Sequence, residues 1–355
     1  MRVLVVRVGA MGDVLHALPA VAALRKERPD WVLDWVVDPR WSPLLVNTQG
    51  EAPVVNGVWL AETKLWSKHP ASPTTLRSIL NLRRETRRAR YDRVVDMQGT
   101  LRSAVIGWMA GARKFAGYRD PRERLAAGFY QQHVQRHGRH VVEQGAALLG
   151  EACGVALELA PVTLPHEAWA DLWAAEVAGD GVSEPRRLCV LAAGGGWKAK
   201  QWPAARYAEL AVRLRSMGMD VVVNAASQDD PVAAEVVAAG AGAARAVVCD
   251  VTGLIALLRR AVLVIGGDSG PVHLAAALGI PLLALFGPTD PERNGPWGPG
   301  RRVVLRDPAS LTSYKHVAHL DPGLANLSVS AVLDGAQRLI EAAGPTDLPD
   351  GRSGL

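Results

Sequence analysis

The sequence predicts an α/β protein made of two successive doubly wound parallel sheets, and three observations predict it. Its 355 residues exceed what one hydrophobic core usually organises, so about two domains are expected. Short β-rich apolar runs alternate with helix-patterned stretches, the rhythm of parallel strands covered on both faces by helices. That rhythm weakens between Pro161 and Arg187 and then restarts. Hydrophobic residues make up 49% of the chain and charged residues 21%, enough apolar side chain to fill ordinary cores.

The elements follow in order. Residues 3–8 read as a strand, Gly9 to Asp13 as a tight turn, and 14–28 as a helix that stops before Pro29. Residues 33–37 and 54–60 are two further strands, 75–90 an Arg-rich helix, and 93–97 another buried strand. Pro161, Pro165 and Pro185 flank a Trp- and Ala-containing helical segment and a turn at 179–181, where the linker is expected. The rhythm resumes with a strand at 188–193, a glycine loop at 194–196, a helix at 204–217, a strand at 221–224, a helix from Val232, and a strand at 247–249. A helix at 254–260, a strand at 262–265, a polar turn-helix segment at 268–279 and an apolar run at 282–285 complete it. A helix at 330–343 could pack on either domain, and the Pro/Asp/Gly-rich tail from Gly344 is expected to fray. The expected divisions are 1–168, 169–329 and 330–355.

Composition removes several classes of function. Cys153, Cys189 and Cys249 each sit in an apolar stretch and none belongs to a CxxC pair, which argues against a disulfide framework or a structural zinc site. The first apolar run carries Arg7 and no small-residue cleavage site, unlike a secretion signal. The longest apolar stretch, 274–286, is interrupted by Gly279 and Pro281 and falls short of the ~20 residues that span a bilayer. A cytoplasmic protein is expected. Residues 1–170 hold 23 Lys+Arg against 16 Asp+Glu, net +7, while residues 171–355 hold 17 against 19, net −2. The basic first half suits nucleic acid, an anionic membrane surface or a phosphorylated substrate. Nucleic acid is the weakest of these, because aromatics are only 5% and do not interleave with the basic segments.

In open α/β sheets ligands bind beyond the carboxyl ends of the strands, so three strand-to-helix turns are candidates. Gly9-Ala-Met-Gly12-Asp13 lacks the GxGxxG spacing of a dinucleotide fingerprint. Asp13 at the helix start is either an N-cap or a general base for a hydroxyl. Gly194-Gly195-Gly196-Trp-Lys198-Ala-Lys200 has the glycines, helix start and lysines of a phosphate cradle without being a Walker A motif; the alternative is a glycine-rich connector with solvated lysines. Asp268-Ser269-Gly270-Pro271-Val-His273 puts a capping residue, an early helical proline and two polar side chains at one helix mouth. Phe286-Gly-Pro-Thr289-Asp290-Pro291 adds a further turn on the same rim. No Asp-x-Asp pair of the kind that holds a divalent cation on a nucleotide diphosphate occurs, and no GxSxG elbow.

Taken together, Met11-Gly-Asp-Val-Leu-His16 with Leu18-Pro19, Asp34-Trp-Val-Val37, Asp96-Met-Gln-Gly99 with Ser103-Ala104, Lys200-Gln-Trp-Pro203, Asp268-Ser-Gly270 with His273-Leu274, and Gly287-Pro-Thr-Asp290 resemble the ADP-heptose lipopolysaccharide heptosyltransferases, glycosyltransferase family 9. The resemblance implies the GT-B fold, two Rossmann-like domains facing across a cleft, and metal-independent inverting transfer of heptose. It implies an acceptor of the Kdo-lipid A type on the first domain and an ADP-heptose donor on the second, which agrees with the charge split. It implies Asp13 as catalytic base, and Lys200, Asp268, Ser269, Gly270 and His273 as donor-binding residues, with Gly194, Gly195 and Gly196 as the phosphate loop and Thr252 on the adenosine side. No cofactor or metal is expected. His16, Gln98, Arg113, Lys114 and Arg119 are the expected acceptor contacts, and Arg122 and Arg124 extend that basic segment. The Arg-rich stretch (Arg77, Arg83, Arg84, Arg87, Arg88, Arg90, Arg93) is either a solvated helix face or an electrostatic attachment to the anionic inner leaflet. Two other readings stand beside transfer: a GT-B-type nucleotide-sugar epimerase or hydrolase, and a non-catalytic binder of anionic glycolipid.

Overall fold

A computed structural model describes residues 1–179, 187–314 and 319–342. The expected tail from Gly344, Gly181 of the expected turn and Pro185 lie outside the described residues. The chain divides into two units, Met1–Pro165 and His166–Leu355.

In the first unit six strands, β1 Arg2–Val6, β2 Val32–Val37, β3 Gly57–Leu60, β4 Arg93–Asp96, β5 Lys114–Tyr118 and β6 Gln132–Val134, form one sheet in the order β3-β2-β1-β4-β5-β6. Every pairing is parallel. Five helices join them: α1 Met11–Glu27, α2 Thr63–Lys68, α3 Pro73–Arg88, α4 Leu101–Met109 and α5 Val141–Cys153. Leu4 and Val6 of β1 point to the same side, as the period of two demands, and share a core with Leu82 of α3, Ala104 and Ile106 of α4, and Ala126 of the 3-10 turn Arg124–Phe129. Helices α1 and α5 pack on each other. The valine-rich β1 is buried from Val3 onward, as expected of a strand covered on both faces.

The second unit opens with α6 Ala168–Ala178, which packs on the later helix at Val251–Arg260. Its strands are β7 Arg187–Ala192, β8 Met219–Ala225, β9 Ala244–Val248, β10 Leu263–Gly267, β11 Leu282–Phe286 and β12 Arg302–Arg306, ordered β12-β11-β10-β7-β8-β9 and again all parallel. Its remaining helices are α7 Ala204–Ser216, α8 Pro231–Ala239, α9 Val251–Arg260, α10 Gly270–Ala277, α11 Pro291–Asn294, α12 Pro322–Asn326 and α13 Val329–Ala342. Helix α13 packs on α7, β11 and β12, so it belongs to this unit. Counted from its own first strand, each sheet runs 3-2-1-4-5-6, the Rossmann order.

Among the expected elements, β3, β9 and α1 have different bounds. The third strand is only Gly57–Leu60, because the chain from Val54 to Asn56 is irregular, and Asn56 donates its backbone N–H to the Leu33 carbonyl at 2.6 Å. Strand β9 starts earlier, at Ala244, and ends before Cys249, which lies in the turn capped by Asp250. Helix α1 begins at Met11, so Asp13 lies inside its first turn. All three cysteines are free thiols, and burial pushes Cys153 and Cys249 up to about 12. Among the described residues no helix is long and apolar enough to cross a membrane.

Candidate active site

A doubly wound sheet leaves a crevice where its order reverses, between the first and fourth strands, because the connections on either side leave for opposite faces. In the first unit that point lies between β1 and β4, and two segments arrive there: the expected turn Gly9 to Asp13 after β1, and Gln98-Gly99 after β4. Ala10 takes the N-cap position of α1, and Asp13, at N3, reaches back to accept its backbone N–H at 3.1 Å through Oδ2. The Arg7 guanidinium holds the other oxygen, Oδ1, at 2.8 Å and also donates to the Met97 carbonyl. A carboxylate fixed at both oxygens yet 37% exposed is oriented without being withdrawn from the rim. Gln98 accepts the Val8 N–H at 2.8 Å, which ties the two turns together. Gly99 has φ +71, and a Cβ there would stand 3.2 Å from the Arg122 nitrogen, so the turn after β4 requires glycine.

His16 follows one turn after Asp13 on α1, buried at 8% exposure, with its ring edge-on to His140, the N-cap of α5, at 5.5 Å between centroids. Arg119 is exposed just past the carboxyl end of β5, on the same edge of the sheet. The structure does not bring Arg113 and Lys114 there. Lys114 opens β5 and pairs with Arg93, the first residue of β4, so both basic residues sit at the amino end of the sheet. A five-residue strand separates that end from the crevice by roughly 16 Å.

In the second unit the reversal lies between β7 and β10, and it again collects the two expected segments. The loop of Gly194, Gly195 and Gly196 follows β7; Gly195 and Gly196 are exposed, and a Cβ at Gly196 would meet nothing within 4 Å. Beyond it the 3-10 turn Lys198–Lys200 packs against β10 so closely that a Cβ on Gly267 would stand 2.4 Å from the Lys200 carbonyl oxygen, an approach only glycine allows. That contact delivers the Lys200 ammonium to Asp268, Nζ to Oδ2 at 2.6 Å, with the Trp197 ring centroid 4.9 Å from the same nitrogen. Asp268 also holds His273 Nε2 at 2.8 Å and accepts the Thr289 hydroxyl at 2.7 Å. Burial alone would push the Asp268 carboxyl up; the His273 hydrogen bond and the charges of His273 and Lys200 outweigh it and hold the group well below the usual carboxylate range.

Ser269 is the N-cap of α10, with Gly270 and Pro271 at the first two helical positions. Its hydroxyl is buried and makes no cap bond, so the first amides of α10 remain without a side-chain acceptor. With Lys200 beside it, this helix start is suited to an anion. Thr252 stands in the first turn of α9, after the edge strand β9, on the same carboxyl rim but two strands beyond β7.

The turns are legible in the sequence; their internal partners are not. Arg7 was visible only as a charge inside an apolar run, which was the signal available: a cation in a buried strand needs an acid, and the nearest is Asp13. Trp197 gave no separate signal.

Residues 79–320 match glycosyltransferase family 9 (heptosyltransferase). The chain belongs to that family. It is similar to lipopolysaccharide heptosyltransferase 1 of Pseudomonas aeruginosa, 33% identical over 312 residues that cover 84% of this chain and 82% of the relative. Among solved structures it resembles the Escherichia coli heptosyltransferase WaaC with ADP, at TM-score 0.77 and 24% identity over 96% of this chain and 100% of that one. The same enzyme with ADP-2-deoxy-2-fluoro heptose matches at TM-score 0.73 and 25% identity over 95% and 99%. The family member is therefore a glycosyltransferase with the fold of those enzymes, GT-B.

Proposed function

We propose that the protein transfers heptose from ADP-L-glycero-β-D-manno-heptose to a Kdo-lipid A type acceptor, with inversion at the anomeric carbon and without a metal. Asp13 takes the proton of the attacking acceptor hydroxyl as its oxygen bonds to the anomeric carbon; the bond from that carbon to the diphosphate breaks, and ADP leaves with the electron pair. Negative charge grows on the departing diphosphate, and Lys200, the amides of the Gly194–Gly196 loop and the open first turn of α10 neutralise it. Asp268 positions Lys200 and His273 for that task, and Thr252 takes the adenosine side. His16, Gln98 and Arg119 line the acceptor's side. Arg113 and Lys114 drop out of that set because of their place at the sheet's amino end.

The observation that carries the reading is the Asp13 carboxylate, oriented by Arg7 and the Ala10 amide at the switch point of its sheet while still open to solvent. The relatives' names, which specify heptosyltransferases and a complex with an ADP-heptose analogue, supply the donor class. The +7 first half supports an acceptor bearing carboxylates and phosphates. Such an acceptor is lipid-borne, so the reading includes peripheral contact with the cytoplasmic face of the inner membrane.

The test is ADP release from ADP-heptose, with and without acceptor. Wild type should release ADP only with acceptor and equally well in chelator. Asp13→Ala should lose about 10³-fold in turnover with donor affinity nearly kept. Normal turnover by that variant would reduce Asp13 to a helix-start residue, and donor consumption without acceptor would favour an epimerase or hydrolase.

A further inference from the structure

The two helical layers of the first unit differ in kind. Helices α2, α3 and α4 and the 3-10 turn Arg124–Phe129 carry two, five, one and one basic residues against the single acid Glu85, net +8. Helices α1 and α5 carry Arg25 and Lys26 against Asp13, Glu27, Glu143 and Glu151, net −2. The basic excess of this half is therefore not spread around it; it lies on one layer.

The same layer exposes its large apolar side chains. Leu76 and Leu80 of α3 are 52% and 58% exposed, and Leu125 in the 3-10 turn is 74% exposed. On α4, Leu101, Val105 and Trp108 are exposed at a spacing of four and three residues, one stripe along the helix. Among the described residues no large apolar side chain of α1 or α5 is exposed. The helices are braced as one surface: Arg87 of α3 donates to the Met109 carbonyl at 3.2 Å, Arg102 of α4 to Ser67 of α2 at 3.2 Å, and Trp108 meets the Phe129 ring edge-on.

We propose that this layer is a docking face for an anionic lipid bilayer. Leucines, a valine and one tryptophan beside arginines are the chemistry of an interfacial surface: aliphatic groups enter the acyl boundary, the indole rests among headgroups, and the arginines reach lipid phosphates. Single-stranded nucleic acid would instead call for several stacking aromatics, and the six residues include one. The face also leads to the site. Helix α4 starts at Leu101, directly after the Gln98-Gly99 turn, so its exposed stripe begins at the rim where Asp13 stands. An acceptor anchored in the bilayer would then present its sugars to that rim, an implication that rests on the function proposed above; the docking itself does not.

The experiment is flotation of the full chain with vesicles of phosphatidylethanolamine containing about a quarter phosphatidylglycerol, against phosphatidylcholine alone, without donor or acceptor. The chain should float with the anionic vesicles only. Trp108→Ser with Leu125→Ser should cut the bound fraction about tenfold or more. Arg77→Ala with Arg83→Ala should cut it about 30-fold at low salt and much less near half-molar salt. All four residues are exposed, so the arginine variant should melt with wild type, and the Trp108, Leu125 variant, which gives up the contact with Phe129, should stay folded and melt only a few degrees lower. Failure of wild type to float, or equal flotation by the Trp108, Leu125 variant, overturns the proposal. So does a lipid-free change in oligomeric state in that variant, which would make the face a protein interface. Turnover of a water-soluble, deacylated acceptor should be unchanged in both variants. If wild type floats but turns over no such acceptor, the reaction fails and the docking face stands.

Discussion

Asp96 and Asp268 occupy the same station in two copies of one topology. Each ends or directly follows the fourth strand of a 3-2-1-4-5-6 sheet, beside the strand that carries the glycine turn, and each is buried, at 0% and 6% side-chain exposure. Their surroundings are opposite. Asp96 is met only by neutral donors: the Gln98 and Gly99 amides at 2.9 and 3.0 Å, the Ser103 hydroxyl at 2.9 Å and the Tyr130 hydroxyl at 2.7 Å. Burial pushes its carboxyl up, and those hydrogen bonds only partly oppose it. Asp268 is met by the Lys200 ammonium and by His273 Nε2, and is held well below the ordinary range. The first aspartate braces a turn; the second keeps a cation poised at a rim. Position in the fold does not decide the role of a buried acid. The charge of its neighbours does.

Breaking the second aspartate should cost more. Asp268→Asn leaves Lys200 without its counter-charge and His273 without its carboxylate partner in a buried setting, and about 3 kcal/mol of stability should be lost, read from urea unfolding, together with weakened ADP binding in calorimetry. Asp96→Asn keeps the shape and one acceptor, removes no ion pair, and should cost about 1–2 kcal/mol, with ADP binding unchanged. Equal losses would erase the distinction drawn between the two. Thr289→Val tests it more finely: losing one hydroxyl bond to the charged Asp268 should cost about 1.5 kcal/mol.

How much of this was legible in the sequence differs between strands and contacts. The first strand, the Gly9 to Asp13 turn and the second-unit rhythm from Arg187 to Phe286 are local patterns of apolar runs and caps, and the sheets contain them within a few residues. Strands β5 and β6 were not legible. Gly117 breaks the β5 pattern, and its reason is tertiary: a Cβ there would meet the Tyr130 ring at 2.4 Å, the same tyrosine whose hydroxyl reaches Asp96. Three-residue β6 and Arg-flanked β12 are edge strands with too little apolar alternation to read. Where a turn carries the candidate residue, as with Asp13, Lys200 and Asp268, its place at the carboxyl rim of its sheet was legible. Arg113 and Lys114 were misjudged because loop-like composition does not reveal at which end of a parallel strand a charge falls; only the register with Arg93 does. The donor sugar was never legible from spacing, and came from resemblance alone.

The smallest expected effect is also the sharpest test of the comparison, because it is a difference of sign. Asp268 has a folded value below that of the unfolded chain, which is about 3.9. Its contribution to stability is therefore complete above about pH 4 and is lost as pH falls toward the depressed folded value. Asp96 is shifted the other way, so the folded protein keeps that proton longer than the unfolded chain does, and stability declines as pH rises from about 4 through the raised folded value. Neither asparagine variant can follow its wild-type group. In urea midpoints measured from pH 7 down to pH 3, the gap between wild type and Asp268→Asn should narrow below about pH 4, while the gap between wild type and Asp96→Asn should widen over the approach to it. Parallel gaps would mean that the two carboxyls titrate alike, and that the Lys200 cation beside Asp268 does not set it apart.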